Sequence, residues 1–314
     1  MNTANLTVAI ATLNRPDGLA DCLRALLTGE VVPAEVVVVD QSSDSATQEV
    51  VERSRDRITS ILYTRQGQKG LSASRNAALV TATRPAIAFT DDDCVPDRCW
   101  VAALDRALNS AESTEALGGV TGRVLALGPE VQGTYPVSIR TGTSRRDFRG
   151  RAIPWLVGTG GNFAAWRDRF ERVGLFDERL GAGAPGKAAE DADMFYRFLR
   201  AGLLIRYAPD AVVYHARQSE TRRFASRWDY GFGIGTLCGI WLQRRDPYMI
   251  RILAFWLSSL AGEFAGSLAR AKRTEARQRV LSLRGTLSGL ANGLQLPDTS
   301  TQNPGGLKGL NGNG

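Results

Sequence analysis

Continuous apolar runs alternate with amphipathic stretches along the first 110 residues of the chain. Runs typical of buried strands lie at 6–12, 35–40, 60–64 and 86–90. Apolar residues recur at helical spacing in the four stretches that follow them, at 15–27, 45–55, 70–82 and 96–108. Continuously apolar strands that alternate with helices predict an α/β fold, with a mostly parallel sheet and helices on both faces.

The pattern changes after residue 117. A strand is predicted at 118–127, then a Gly/Arg/Ser-rich excursion at 128–152, a helix from about Glu190 to Ala201, and strands at 203–208 and 212–216. The predicted organisation is an α/β domain over 1–216, with halves at 1–117 and 118–216, and a helical extension over 217–296. The Gly/Asn-rich tail at 297–314 is expected to be disordered.

Composition is that of a soluble globular protein, with 43% apolar and 23% charged residues. The four cysteines form no CxxC pair and His215 is the single histidine, so a structural zinc site is not expected and a reduced, cytoplasmic setting fits best. The N-terminus shows no signal-peptide pattern. The most apolar C-terminal stretch has only eleven uncharged residues between Arg251 and Glu263, which is shorter than the roughly 20 that a bilayer needs.

Positive charge is concentrated in one part of the chain. The net charge is +7, but residues 217–284 hold 13 Lys/Arg against 5 Asp/Glu, a net of +8, which leaves −1 elsewhere. Two interpretations stay open: a solvated basic face on helices that pack against the α/β domain, or peripheral contact with an anionic membrane, such as the inner face of the plasma membrane. No nucleic-acid-binding motif accompanies the charge, so nucleic acid is not an expected partner.

Three carboxylates follow the fourth predicted strand without interruption, in "AIAFTDDDCVP" at 86–96. Ligands of an open parallel sheet bind at the carboxyl ends of its strands, where Asp40 also lies. In an extended chain Asp91 and Asp93 would point the same way and Asp92 the other way. A hard divalent cation such as Mg²⁺ or Mn²⁺ would neutralise such crowding. The alternative is that Asp92 or Asp93 caps a helix that begins at Pro96.

Two further sets of residues are candidates for chemistry. Glu190, Asp191 and Asp193 open a predicted helix after a glycine-rich loop, either as companions of the helix dipole or as the source of a general base. His215 ends the last predicted strand, either as a packed residue or as a metal or phosphate ligand.

The ordered motifs "VAIATLNRPDGLADCLRALL", "VVVVDQSSD", "QKGLSASRNAAL", "FTDDDCVP", "GGNFAAWRDRFERVGLFDERLGAG" and "EDADMFYRFLRAG" resemble those of the family-2 glycosyltransferases. These are inverting enzymes of the GT-A fold that use a nucleotide-sugar donor, and the resemblance covers residues 5–216. It implies that the α/β domain is the catalytic domain, with a nucleotide-binding half at 1–117 and an acceptor half at 118–216. It also implies a UDP-, GDP- or dTDP-sugar donor, Mg²⁺ or Mn²⁺ as cofactor, and a glycan or lipid-linked acceptor in cell-surface polysaccharide or glycolipid assembly.

The resemblance assigns roles to individual residues. The metal ligands would be Asp91, Asp93 and His215, and the general base would be Asp191, with Glu190 as its neighbour. The positions expected to bind the nucleotide-sugar are Thr12, Asn14, Arg15, Asp40, Gly70, Arg75, Asn76, Asp91, Asp92, Gly161 and Asn162.

One departure from the family bears on the outcome of the reaction. Members that polymerise sugars often carry a QxxRW motif on a membrane-embedded segment, but Phe224 stands three residues before Arg227 and Trp228. The expectation is therefore a single transfer.

Two other functions remain open. "DDDCV" also fits the DxDx(T/V) signature of phosphatases, and a catalytically inactive nucleotide- or sugar-binding relative is the non-enzymatic alternative.

Overall fold

The structure, a computed structural model, describes residues 2–55, 60–110 and 116–298 of the chain. The predicted disordered tail at 297–314 lies almost entirely outside the described residues. The strands are β1 (Asn2–Thr12), β2 (Val31–Asp40), β3 (Ile61–Arg65), β4 (Ala86–Asp91), β5 (Cys94–Pro96), β6 (Leu117–Ala126), β7 (Thr134–Tyr135), β8 (Arg146–Phe148), β9 (Phe163–Trp166), β10 (Leu204–His215) and β11 (Gln218–Ser219). The α-helices are α1 (Pro16–Leu27), α2 (Ala46–Ser54), α3 (Leu71–Thr81), α4 (Trp100–Asn109), α5 (Arg167–Val173), α6 (Glu190–Arg200), α7 (Glu220–Gln243), α8 (Tyr248–Ala269) and α9 (Arg273–Gln295).

The central sheet has the strand order β3-β2-β1-β4-β9-β6-β10-β5, and β8 also pairs with β10. The neighbours β3-β2, β2-β1, β1-β4 and β6-β10 are parallel, whereas β9, β5 and β8 run antiparallel to their partners. The prediction of a mostly parallel α/β sheet is confirmed. Its first four strands are those that the apolar runs predict.

Strand β2 shows why continuously apolar strands indicate a sheet covered on both faces. Val36 and Val38 pack into the hydrophobic core on one side of the sheet, and Val37 and Val39 pack into the core on the other side. Because successive side chains of a strand point to opposite faces, both sets must be apolar.

Two local predictions are wrong. The helix expected from residue 96 begins at Trp100, because the chain after the aspartates first forms β5, which pairs with the end of β10. The helix-cap interpretation of Asp92 and Asp93 fails for the same reason. The two strands expected at 203–208 and 212–216 are one strand, β10, with an irregularity between Ala208 and Val212.

Helices α7, α8 and α9 pack against the α/β domain rather than extending away from it. They share a hydrophobic core with the α/β domain, in which Leu237 and Ile252 join Leu180 and Tyr196 of the segment around α6. The prediction of a helical region beyond residue 217 is confirmed, except that it opens with the two-residue strand β11.

Helices α7 and α9 lie parallel with their backbones in direct contact. Glycines spaced four residues apart line both sides of the contact, namely Gly231, Gly235 and Gly239 on α7 and Gly285, Gly289 and Gly293 on α9. A Cβ at Gly289 would overlap the carbonyl oxygen of Phe232, and one at Gly235 would overlap that of Thr286. Only glycine allows two helices to approach so closely.

Among the described helices, α8 alone has the length and composition of a helix that could cross a membrane. It has 22 residues, and 17% of its most apolar window is buried. The sequence predicts that the apolar stretch between Arg251 and Glu263 is too short to cross a bilayer. That prediction is wrong on length, because the helix continues past both charged residues. One such helix is weak evidence of a membrane span.

The glycine contact predicts opposite effects for two glycine-to-alanine substitutions. Gly289→Ala should lower the free energy of unfolding by roughly 1–3 kcal/mol, because the methyl group forces α7 and α9 apart. Gly262→Ala is the control: it lies in exposed α8 with no atom within 4 Å of the added Cβ, so it should raise stability by about 0.5–1 kcal/mol. Urea unfolding measures both, and equal shifts would contradict the close contact.

Candidate functional site

The carboxyl ends of β1, β2 and β4 bring the predicted nucleotide-binding residues to one rim of the sheet. Thr12 lies opposite Asp40 in the β1–β2 pair, and Ala11 lies opposite Asp91 in the β1–β4 pair. The rim is the position at which parallel α/β sheets bind ligands. This register places Asp40 and Asp91, the first of the three aspartates, at the same edge of the sheet, as the sequence predicts.

The three predicted metal ligands lie together beside this rim. Ligand atoms of Asp91, Asp93, Cys94 and His215 are all within 4.8 Å of one another. Strand β10 places His215 there because it pairs antiparallel with β5, opposite Cys94. The extended conformation expected through the three aspartates is not formed, because Asp92 and Asp93 lie in a turn between β4 and β5. That turn, rather than strand alternation, brings Asp93 beside Asp91.

The orientation of His215 suits metal binding. Its Nδ1 lies 2.9 Å from the carbonyl oxygen of Ala216, which can only accept, so Nδ1 carries the proton. In neutral histidine the lone pair is then on Nε2, which lies 3.6 Å from Asp93 Oδ1. An Nε2 lone pair beside a carboxylate oxygen is an arrangement that can bind a shared cation.

The donor set fits Mg²⁺ or Mn²⁺. Two carboxylates and an imidazole are oxygen and nitrogen ligands of the kind these ions take. Burial raises the pKa of the Cys94 thiol well above its ordinary value. Mg²⁺ and Mn²⁺ also prefer oxygen and nitrogen ligands to sulfur, so the fit rests on Asp91, Asp93 and His215.

Arg15 pairs with Asp92 and Asp93, the second and third aspartates of the triplet. Its Nη1 donates to Asp92 Oδ1 at 3.0 Å and to Asp93 Oδ2 at 2.6 Å. Burial raises the pKa of Asp92 to about 6, although Arg15 opposes the shift. Arg15, predicted to contact the nucleotide, thus also links the start of α1 to the aspartates.

Arg75 joins the predicted metal-binding carboxylates to the predicted base. Its side chain is 4% exposed, with Nη2 3.2 Å from Asp91 Oδ1 and Nη1 3.0 Å from Glu190 Oε1. Its guanidinium also lies over the ring of Phe176, 5.5 Å from the centroid. The two candidate carboxylate sets, about a hundred residues apart in the chain, are therefore one site.

Asp191 is held at the first turn of α6 by backbone groups. Gly160 N–H donates to its Oδ2 at 2.8 Å, and Ala192 N–H donates to its Oδ1 at 2.7 Å. Each carboxylate oxygen has a second lone pair, so both can still accept a proton from a ligand. Asp193, by contrast, is buried and accepts from Arg197 and from Trp241 Nε1, which makes it part of the scaffold.

Three of the predicted donor-binding side chains are occupied by protein contacts. Asp40 is fully buried and accepts from Tyr63 Oη and from the Ser42 N–H. The Asn76 amide exchanges hydrogen bonds with Phe176 and Glu178.

Asn162 is likewise fully buried, accepting from Trp100 Nε1 and donating to the carbonyls of Arg123 and Ala211. In this structure these three residues position the rim, and their contact with a nucleotide-sugar stays a prediction.

The remaining predicted positions shape the backbone at the rim. Asn14 has a φ of 55°, and its N–H donates to Ser42 Oγ at 2.7 Å. Gly70 has a φ of 134°, where a side chain would be strained, and Gln41 brackets it with hydrogen bonds. Gly161 lies so close to Asp91 that a Cβ would overlap its Oδ2.

No direct signal in the sequence indicates the Arg75 bridge or the double contact of Arg15. Both arginines were predicted to meet the nucleotide, and ion pairs between distant segments depend on the folded topology. The spacing of the six glycines in α7 and α9, by contrast, is visible in the sequence and would have indicated their close packing.

Comparison with known proteins places the chain in a family. The family described as Glycosyl transferase family 2 matches residues 7–174, which is more than half of the chain. The chain is a family 2 glycosyltransferase. The phosphatase interpretation of residues 91–95 is therefore wrong, and the expected family is confirmed.

This family 2 glycosyltransferase is similar to a pre-mycofactocin glycosyltransferase of Mycobacterium tuberculosis, at 30% identity over 215 residues. The alignment covers 64% of this chain and 42% of the relative, so the chain spans less than half the length of that protein.

Two solved structures resemble this family 2 glycosyltransferase in fold. The mannosyltransferase PcManGT from Pyrobaculum calidifontis, in complex with GDP-Man and Mn²⁺, has a TM-score of 0.63 at 17% identity, over 93% of this chain and 88% of that one. Residues 1–349 of S. aureus TarS, in complex with UDP-GlcNAc, have a TM-score of 0.61 at 18% identity, over 92% and 82% of the two chains. The expected GT-A fold is confirmed.

The environment of Glu190 predicts a pH dependence of stability in this family 2 glycosyltransferase. Burial, and then the charge of Asp191, raise the pKa of Glu190 from 4.5 to about 7. The folded state therefore holds a proton that the unfolded state releases, and stability falls as pH rises through that interval.

Between about pH 5 and pH 8, the melting temperature should fall more steeply for the wild type than for Glu190→Gln. Glu49→Gln, on an exposed face of α2, is the control and should keep the wild-type slope. A thermal-shift series measures the slopes, and equal slopes in wild type and Glu190→Gln would contradict the raised pKa.

Proposed function

We propose that this protein transfers one sugar from a UDP-, GDP- or dTDP-sugar to an acceptor hydroxyl, with inversion at the anomeric carbon and with Mg²⁺ or Mn²⁺ as cofactor. One observation carries the proposal: Arg75 joins the Asp91/Asp93/His215 group to the Glu190–Asp191 pair in a single site at the sheet rim. A site for the leaving diphosphate and a site for the nucleophile are what such a transfer requires.

The leaving-group side consists of Asp91, Asp93 and His215. A divalent cation bound by these residues would neutralise the negative charge that develops on the departing nucleoside diphosphate. Arg15 is 35% exposed and has guanidinium N–H groups beyond the Nη1 that contacts the two aspartates. Those groups are available to phosphate oxygens at the mouth of the site.

The nucleophile side consists of Asp191, which would remove the proton from the acceptor hydroxyl. The N–H groups of Gly160 and Ala192 fix the orientation of this carboxylate. Glu190 forms an ion pair with Arg75, so it holds Arg75 in place and leaves Asp191 as the group that faces the acceptor. Attack from the face opposite the leaving group, in one displacement, inverts the anomeric configuration.

The acceptor belongs, in this proposal, to cell-surface polysaccharide or glycolipid assembly, and the enzyme acts in the cytoplasm at the inner face of the plasma membrane. The resemblance to the family and the charge of residues 217–284 support this location. A single transfer is proposed because the family's polymerisation motif is not matched at Phe224.

Asp93→Asn tests the metal site. Removing this charge should abolish metal-dependent binding of nucleoside diphosphate, because Asp93 is paired with both His215 and Arg15. Thermal shift with UDP, GDP or dTDP, with and without Mn²⁺, measures it. Asp168→Asn, an exposed carboxylate on α5, is the control, and unchanged binding in Asp93→Asn would refute the site.

Asp191→Asn tests the base. Donor binding should persist, while transfer, followed as nucleoside diphosphate release with a panel of acceptors, should fall roughly 10²–10⁴-fold. Transfer at the wild-type rate would rule out Asp191 as the base. If the wild type itself binds nucleotide with metal but transfers to no acceptor, the inactive-relative alternative is favoured.

A further inference from the structure

We propose that the outer face of the α8–α9 pair is a docking surface that lies flat on an anionic lipid bilayer. This inference deepens the proposed function, because it assigns the membrane contact to particular residues. It rests on the peripheral location proposed above, but not on the chemistry of the active site.

Helices α8 and α9 form an antiparallel pair with a defined contact line. Trp256 Nε1 donates to Thr286 Oγ1 at 2.8 Å, and about two turns further along α8 Arg279 Nε lies 2.8 Å from Glu263 Oε2. Residue numbers rise along α8 as they fall along α9 between these contacts. The contacts therefore fix which side of each helix faces its neighbour.

Exposed apolar side chains run along one side of both helices. On α8 they are Ile250 and Leu268, with the small residues Ala254, Ala261 and Ala265 between them; on α9 they are Val280, Leu283, Leu287 and Leu294. The six large side chains are between 37% and 60% exposed. Counted at 100° per residue in the same rotational sense, all six lie roughly 50° to 130° from the contact line. Because the two helices run antiparallel, rotation in the same sense about each helix axis leads to the same side of the pair. The two apolar stripes therefore form one face.

The concentration of apolar surface here is specific to this part of the protein. Among the residues that the structure describes, thirteen large hydrophobic side chains are exposed, and six of them lie on this face, whereas Phe255 lies on the other side of α8. Scattered exposed apolar residues need no explanation, but a contiguous apolar face indicates an interaction site.

Charge identifies a bilayer as the occupant of this face. Arg273, Arg277 and Arg284 are exposed on the outer edge of α9, beyond its apolar stripe. The two acidic residues of α8 and α9 do not oppose them, since Glu263 pairs with Arg279 and Glu275 pairs with Lys272. An apolar face with an arginine edge matches the acyl and phosphate layers of an anionic membrane. A second copy of this chain would instead bring a like-charged edge to the same face.

The contacts of α8 favour a position on the bilayer over one across it. Met249 and Ile252 are fully buried in the core shared with α6, and Trp256 packs against Trp155 with ring centroids 5.4 Å apart. Crossing a membrane would pull these side chains out of that core. Only the exposed face of α8 is therefore available to the bilayer, and its opposite face stays packed against the protein.

Sedimentation of the full chain with lipid vesicles tests the surface. Partition onto phosphatidylcholine vesicles that contain about 30% phosphatidylglycerol should fall at least tenfold in the double variant Ile250→Glu/Leu287→Glu. Val131→Glu, which changes an exposed apolar residue in another part of the chain, is the matched control and should partition like the wild type.

The arginine edge has its own test. Arg277→Gln/Arg284→Gln should weaken partition onto the anionic vesicles by roughly fivefold per lost charge, and should have no effect with pure phosphatidylcholine. Arg53→Gln, an exposed arginine of α2, is the control.

Several results would overturn the proposal. They are unchanged partition in the Ile250→Glu/Leu287→Glu variant, no partition of the wild type, resistance of bound protein to alkaline carbonate extraction, or wild-type self-association that this variant abolishes. Metal-dependent nucleotide binding, measured on the same samples, should be normal in every docking variant. A failure of the catalytic proposal would appear there, separately from the vesicle result.

Discussion

The crowding of carboxylates at the sheet rim is the constraint on which the rest of the site depends. Asp91, Asp92, Asp93 and Glu190 would repel one another if left alone, and burial adds to the cost of their charges. Two arginines from different segments compensate: Arg75 of α3 pairs with Asp91 and Glu190, and Arg15, just before α1, pairs with Asp92 and Asp93. Because Arg75 is buried, a rigid guanidinium rather than a loop sets the distance between Asp91 and Glu190.

Buried polar residues around the rim also hold its segments in place. Asn76 and Asn162 give all their amide hydrogen bonds to the protein, and Asp40 is closed off by Tyr63 and Ser42. Polar groups buried in this way are costly unless fully satisfied, so each one fixes the segments that it joins. The loop that carries Gly160 and Gly161 is held between α4 and the sheet by Asn162, and that loop in turn orients Asp191.

How much of the structure the sequence predicts depends on how far apart in the chain the interacting residues lie. The strands β1 to β4 and the helix α6 were predictable, because apolar periodicity is local. The proximity of Asp91, Asp93 and His215 was predictable because strand ends meet at one rim of the sheet and because the family motifs match there. The start of α4 was not, since the short strand β5 forms only when β10 is beside it. The ion pairs of Arg15 and Arg75 were not predictable either, because they join segments that only the folded topology brings together.

The glycine contact between α7 and α9 has a consequence for how the C-terminal helices can vary in sequence. Their inward positions admit no side chain, since the carbonyl groups of the opposite helix occupy that space. The outward positions of α9, including Leu283 and Leu287, are under no such steric restriction. The two sides of α9 are thus independent. Its glycines determine where the helix packs, and its exposed side chains can be exchanged one by one without moving the rim of the sheet.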